Sequence, residues 1–233
     1  MKMLPFSPGG RLLAGAAIAT LLLTSGCGQR ETQIQIAAKQ GIMIVGNGAE
    51  PSDLDPQTIT GIPERNITAA MFEGLTRNDP ETLEALPGQA KSWAVTPDGL
   101  TYTFHLREGL VWSDGTPLTA NDFYLSFRRL LSASLGSDNS DQLYDVLNAE
   151  AYHKGRDKDF SKVGFRVIDD LTLEIRLEHP ASYLLKTLGS RTWVPVPLHV
   201  LEKFGDPLLP GSPWTRPGNL VCNGPFMLKE WKP

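Results

Sequence analysis

The side chains that most often carry chemistry are scattered along this sequence rather than grouped. Its four histidines are His105, His153, His179 and His199, and no two of them stand at the spacing of zinc ligands. No GxSxG segment is present, so the best marker of an α/β-hydrolase is missing. We therefore expect no metal, no cofactor and no catalysed reaction. A hydrolase whose triad residues lie far apart in the chain stays open as an alternative.

Two short segments match ligand-binding loops only in part. Residues 46–48 read Gly-Asn-Gly, as in a dinucleotide loop, but the third glycine is absent and Pro51 blocks the helix that should follow. Residues 138–141 are acidic, but they lack the central glycine and the closing glutamate of a calcium loop. Neither segment predicts a cofactor or metal site.

The composition is typical of a globular protein. Apolar residues make up 41% of the 233 residues and charged residues 21%, which excludes a disordered chain. Lysine and arginine number 22 against 26 acidic residues, for a net charge of −4, so no basic excess indicates a nucleic-acid partner. A chain with this composition and without catalytic groups is most simply interpreted as a binding protein.

The N-terminal segment has the pattern of a secretion signal. Lys2 and Arg11 precede and flank an apolar run at 12–23, and small residues lead into Cys27. The run is short for a membrane span, although an uncleaved anchor stays an alternative. Small residues before a cysteine resemble the lipobox of bacterial lipoproteins, which implies a diacylated Cys27. Cys222 would then have no partner in the chain, and we expect it to be buried and structural.

The spacing of apolar residues predicts a mixed α+β protein without strict βαβ alternation. Residues 28–39 carry no clear helix signal and are interpreted as a polar tether. A capping pair, Thr119 and Asp122, marks the start of the clearest helix. The predicted elements are strands at 42–45, 101–106, 163–167, 171–177 and 226–231, and helices at 64–75, from 119 to 131, after 180 and at 197–204.

Several motifs then resemble one known family. They are Gly-Ala-Glu-Pro-Ser-Asp-Leu-Asp-Pro at 48–56, Phe-Glu-Gly-Leu at 72–75, Trp-Ser-Asp-Gly at 112–115 and Asn-Gly-Pro-Phe at 223–226. Together they resemble the family 5 extracellular solute-binding proteins, the receptors of ABC importers for oligopeptides, dipeptides and nickel. The resemblance runs in order through residues 40–233. It implies a mixed α/β (α+β) clamshell of the periplasmic-binding-protein class II type, in which two lobes close over a ligand.

The resemblance also implies a domain plan. Its parts are a signal peptide at 1–26, a lipidated tether at 27–40, the first lobe at 41–72, a small intervening domain at 73–195 and a return to the first lobe at 196–233. The second lobe is expected to be missing from this chain. We therefore expect weak binding or none by the chain alone, and a truncated, non-binding remnant is an alternative.

Within the family, the likeness is greatest to the oligopeptide-binding branch, whose loop pairs its main chain with the bound peptide. Carried over to this sequence, Thr60, Gly61 and Ile62 would contact the ligand. Asn139 would stand near the place of a tyrosine that contacts peptide in that branch. The alternative is that the loop only packs on its lobe.

The implied function is that of a lipid-anchored receptor outside the cytoplasmic membrane. It would be a monomer that delivers oligopeptides to the permease subunits of an ABC importer, with no nucleic-acid partner. The alternative cargoes are dipeptides, cell-wall peptides, nickel or haem.

Overall fold

The computed structural model describes residues 31–232, which fall into two units, residues 31–46 and residues 47–232. The predicted signal sequence and Cys27 lie outside the described residues. Within residues 31–232, no helix combines the length and apolar character that a membrane crossing requires.

The first unit contains one helix, α1 (Gln33–Lys39), which the sequence interpretation missed. Thr32 and Gln35 form a capping box, with the backbone N–H of Thr32 donating to Gln35 Oε1 over 2.9 Å. The sequence shows no clear helix signal in this segment, and the helix corrects that expectation, while the role of the segment as a tether stays a prediction. The predicted strand at 42–45 is wrong. A strand needs a hydrogen-bonding neighbour, residues 31–46 contain none, and the four side chains are 53–84% exposed.

The strands of the second unit form two antiparallel sheets. The first pairs β1 (Thr76–Asn78) with β2 (Ala85–Pro87). The second has the order β3-β4-β6-β5. Its strands are β3 (Ala90–Val95), β4 (Thr101–Leu106), β5 (Phe165–Asp169) and β6 (Thr172–Arg176). Alternate residues of β4 are buried, as predicted, and Phe104 lies opposite Leu173 of β6.

Five helices accompany these sheets. They are α2 (Ile62–Met71), α3 (Ala120–Leu130), α4 (Ala149–His153), α5 (Leu184–Thr187) and α6 (Leu198–Leu201). The predicted start of α3 is confirmed. The Asp122 carboxylate accepts one hydrogen bond from the backbone N–H of Thr119 at 2.8 Å and another from the Thr119 hydroxyl at 3.0 Å. The buried stripe of α3, including Phe123 and Phe127, packs beside β5 and β6. The predicted α+β class is thus confirmed.

The segment after Cys222 differs from its prediction. No strand forms at 226–231, and the chain that enters this segment bonds to the end of α2 instead of to a sheet. Gly224 N–H donates to the Met71 carbonyl at 2.8 Å, and Phe226 N–H donates to the Ala70 carbonyl at 3.2 Å. Cys222 itself is 1% exposed, which confirms the expectation of a buried thiol.

Candidate functional site

The loop at residues 59–62, which leads into α2, is held on its inner side by hydrogen bonds. Ile59 is the central residue of this attachment, and its N–H donates to the Asp55 carbonyl at 3.2 Å. Its carbonyl accepts from Asn139 Nδ2 at 3.2 Å and, more weakly, from Arg191 Nη2 at 3.5 Å. These bonds connect the loop to two distant parts of the chain and fix its path.

The outer side of the loop is exposed. Thr60 is exposed and Ile62 is 64% exposed. The backbone N–H and C=O of Thr60 and the N–H of Gly61 make no hydrogen bond to any residue between 31 and 232. Unpaired main-chain donors and acceptors on an extended segment can accept an added strand. The loop therefore presents a short edge to which another main chain can pair.

A buried polar network holds the start of the loop. Arg129 of α3 is 0% exposed, and its guanidinium binds Asp55 Oδ2 at 2.7 Å and Gln57 Oε1 at 2.6 Å. Its Nε also donates to the Pro207 carbonyl at 2.6 Å, and Trp214 Nε1 donates to Asp55 at 3.3 Å. Sequence reasoning missed Arg129, because nothing local marks an arginine whose partners lie 72 and 74 residues away.

Asn139 lies beneath the loop rather than at its surface. It is 7% exposed, and its backbone N–H donates to Ser137 Oγ at 3.2 Å, while the Ser137 hydroxyl donates to the Gln57 carbonyl. The structure thus places Asn139 against Ile59, the residue directly before Thr60, Gly61 and Ile62. The role of Asn139 and of these three residues in binding a ligand stays a prediction, as does lipidation of Cys27, which lies outside the described residues.

A cleft of about 540 Å³ lies beside the loop. Its walls come from α2, from residues 73–77 and from residues 189–194. Arg65, Arg77 and Arg191 line it, together with one carboxylate, Glu73. That carboxylate is already engaged by Arg107 Nη2 at 2.7 Å. The cleft is large enough for one or more ligand side chains.

Two charged side chains, Glu64 and Arg191, lie close to the loop. The backbone N–H of Ser52 donates to Glu64 Oε1 at 2.9 Å, and this bond is the main reason why the pKa of Glu64 lies below its usual value. Burial, followed by the nearby charge of Arg65, lowers the pKa of Arg191, while Glu64 raises it. Arginine nevertheless stays protonated at neutral pH. The loop is thus flanked by one positive side chain, Arg191, and one negative side chain, Glu64.

The described residues hold no group of three or more histidine, cysteine, aspartate or glutamate side chains arranged for a metal ion. The arrangement around residues 59–62 is suited to holding an extended chain, because it offers main-chain partners beside an open cleft.

Comparison with known proteins places this geometry in context. The family model of the bacterial extracellular solute-binding proteins, family 5, matches residues 84–233. The periplasmic oligopeptide-binding protein of Salmonella typhimurium is 37% identical over 224 residues, which are 94% of this chain and 39% of that protein. The periplasmic murein peptide-binding protein of Escherichia coli is 35% identical over 183 residues, which are 78% of this chain and 32% of that protein.

A solved structure has the same fold over most of the chain. The periplasmic oligopeptide-binding protein of Borrelia burgdorferi superposes with a TM-score of 0.74 at 42% identity, covering 79% of this chain and 36% of that one. The chain therefore spans about a third of the length of these relatives, between 32% and 39%. The agreement confirms that the fold corresponds to part of a periplasmic binding protein clamshell.

Proposed function

This chain belongs to the bacterial extracellular solute-binding proteins, family 5, and from that membership we propose that it binds peptides for uptake by an ABC importer. Members of this family are transport receptors, and we assign no catalytic step to the chain. The protein would act outside the cytoplasm, as its periplasmic relatives do.

One observation carries the proposal of a peptide ligand. The backbone groups of Thr60 and Gly61 are unpaired among the described residues, while Ile59 just before them is fixed on its inner side. A peptide backbone presents N–H and C=O groups at the spacing that such an edge can pair with. Main-chain hydrogen bonds do not depend on side-chain identity, so this mode suits a receptor for many sequences.

The four site residues would then have different tasks. Thr60, Gly61 and Ile62 would contact the ligand backbone. Asn139 would hold the Ile59 carbonyl and so keep the loop in place. Asn139 Oδ1 lies 3.4 Å from Gln142 Nε2, and Gln142 lines the cleft. The proposal therefore also includes a direct contact of Asn139 with the ligand.

The remaining features of the proposal concern attachment and organisation. Residues 1–26 would be removed as a signal peptide, and Cys27 would carry the lipid that anchors a monomeric receptor. The domain plan given above would apply, with a small domain at 73–195 inserted into the first lobe. Intact-mass measurement of the native protein tests the anchor, because diacylation adds two acyl chains to a chain that begins at Cys27.

A cell-wall peptide is the second candidate cargo. The murein peptide-binding relative from Escherichia coli is almost as similar to this chain as the oligopeptide-binding relative from Salmonella. Both cargoes offer a peptide backbone to the loop, so they share the binding mode and differ in side-chain chemistry.

Calorimetric titration tests the proposed function. The protein, prepared as its cells produce it, is titrated with dialanine, trialanine, tetraalanine and nickel chloride. We expect saturable heat with at least one peptide and none with nickel. Saturable heat with nickel alone, or with none of the four, would contradict a peptide receptor.

A further inference from the structure

The cleft beside the loop carries more positive than negative charge, although the whole chain has a net charge of −4. Three arginines and one glutamate line it. The glutamate, Glu73, is bound by Arg107 and by Gln89 Nε2 at 2.6 Å. Arg77 donates its Nε to the Pro87 carbonyl at 3.2 Å. A carbonyl does not neutralise a guanidinium, so Arg65, Arg77 and Arg191 all keep a charge that a ligand can use. Arg65 and Arg191 are the two that lie next to the loop, through the bond from the backbone N–H of Arg65 to Gly61 and the Arg191 contact with Ile59.

Neither of these two arginines is paired with a carboxylate among residues 31–232. No ion pair within 4.0 Å involves Arg65 or Arg191 in that part of the chain. Glu64 is close enough to raise the pKa of Arg191, but no ion pair within 4.0 Å joins the two side chains in the described residues. Glu64 Oε1 accepts from Ser52, and Oε2 is buried without a hydrogen-bond partner there. The only hydrogen bond of the Arg191 side chain there is the 3.5 Å contact to Ile59.

Two buried polar atoms at the cleft also lack partners. Arg191 Nε and Ser190 Oγ are shielded from solvent and make no hydrogen bond within the described residues. Leaving a buried donor without a partner costs free energy, so each of these atoms gains when a side-chain rotation at the cleft wall brings it to an acceptor such as a ligand oxygen or a water. Both residues line the same cleft. A carboxylate can accept from a guanidinium and a hydroxyl at once, and charged hydrogen bonds of this kind are strong.

We propose that this cleft is a selectivity pocket that binds a carboxylate of the ligand through Arg191 and Ser190, with Arg65 adding attraction. The inference rests on the proposed function, because the carboxylate arrives on a peptide held by Thr60 and Gly61. The carboxylate belongs either to an acidic side chain or to the C-terminus of the peptide.

Peptide pairs that differ only in one carboxylate test the pocket by calorimetry. Alanine tripeptide amides with glutamate or glutamine at each position in turn isolate the side chain. Trialanine and its C-terminal amide isolate the terminus. In at least one of these pairs, we expect the peptide that carries the carboxylate to bind about tenfold more tightly than the peptide that lacks it. A preference in the glutamate pairs assigns the pocket to side chains, and a preference in the trialanine pair assigns it to the terminus.

Variants then locate the effect. Arg191→Gln and Arg65→Gln should reduce the carboxylate preference, with Arg191→Gln bringing it within about twofold of parity. Arg65 is exposed, so its variant is expected to fold. Arg166→Gln is the matched control, because Arg166 is exposed on β5 and does not line the cleft. It should leave the preference unchanged.

The outcomes separate this inference from the proposed function. Equal binding of the acid and amide forms would overturn the pocket while the receptor proposal stands. If Arg191→Gln weakened both forms equally, Arg191 would serve only to position the loop, and the inference would also fail. Absence of binding by every peptide would overturn the proposed function itself.

Discussion

The guanidinium of Arg129 and the carboxylate of Asp55 form a buried ion pair, with Nη2 2.7 Å from Oδ2. Asp55 lies five residues before Thr60, and Arg129 lies near the end of α3. The pair therefore connects the start of the loop to α3, whose inner face is buried. The same carboxylate also accepts from Trp214, so three separate segments meet at Asp55.

Replacing Arg129 should strongly destabilise the fold. The Arg129→Met variant keeps most of the side-chain volume but leaves Asp55 without its cation, and we expect a loss of about 3–5 kcal/mol in the free energy of unfolding. Urea denaturation measures this loss. Arg128→Met is the control, because Arg128 precedes Arg129 in α3 and is exposed. Its replacement should change the free energy of unfolding by no more than about 0.5 kcal/mol. Equal losses of unfolding free energy in the two variants would show that the buried ion pair does not stabilise the fold more than an exposed arginine does.

Gly224 lies against the end of α2, where no side chain fits. A Cβ at this position would lie 2.6 Å from the carbonyl carbon of Met71 and 2.7 Å from its oxygen, and both are backbone atoms. We predict that Gly224→Ala lowers the free energy of unfolding by about 1–3 kcal/mol, because the backbone must shift to admit the methyl group. Gly46→Ala is the control, since no atom lies within 4 Å of its Cβ position. A neutral result at Gly224 in thermal or urea unfolding would contradict the close approach.

Glu64 should give the protein part of its sensitivity to acid. Its pKa lies below the usual 4.5, chiefly because the Ser52 N–H binds the carboxylate. A group whose pKa is lower in the folded state stabilises the fold above the unfolded pKa, and that stabilisation is lost as pH falls through the folded pKa. The contribution of Glu64 is therefore complete near neutral pH and decreases below about pH 4.5.

Urea unfolding between about pH 7 and pH 3 checks this pH dependence. We predict that Glu64→Gln flattens the fall in unfolding free energy at the acid end, while the exposed control Glu108→Gln follows the unsubstituted protein. If the curve of Glu64→Gln ran parallel to that of the unsubstituted protein, Glu64 would not be the group responsible.

Local sequence patterns predicted the elements that depend on local interactions. The capping pair of Thr119 and Asp122 indicated the start of α3, and the alternation of Tyr102, Phe104 and Leu106 indicated β4. Both are confirmed because capping and alternation are complete within a few residues. The capping box of Thr32 and Gln35 is equally local, and recognising it would have predicted α1.

Features that depend on distant partners were not predictable in this way. Apolar runs at 42–45 and 226–231 look like strands, but a run does not reveal whether a neighbouring strand lies beside it. The contacts of Arg129 with Asp55 and of Arg191 with Ile59 join residues 74 and 132 positions apart. The loop at Thr60 was identified only through family resemblance, since its unpaired backbone has no signature in side-chain order.

The most direct test of main-chain pairing by the loop compares two variants of Thr60. Thr60→Pro removes the backbone N–H, which bonds to no described residue, whereas Thr60→Val changes the side chain and keeps that N–H. We predict that trialanine, titrated calorimetrically, binds Thr60→Pro about tenfold more weakly than Thr60→Val, at equal thermal stability of the two proteins. Equal affinity of trialanine for the two variants would contradict a ligand held by the main chain of this loop.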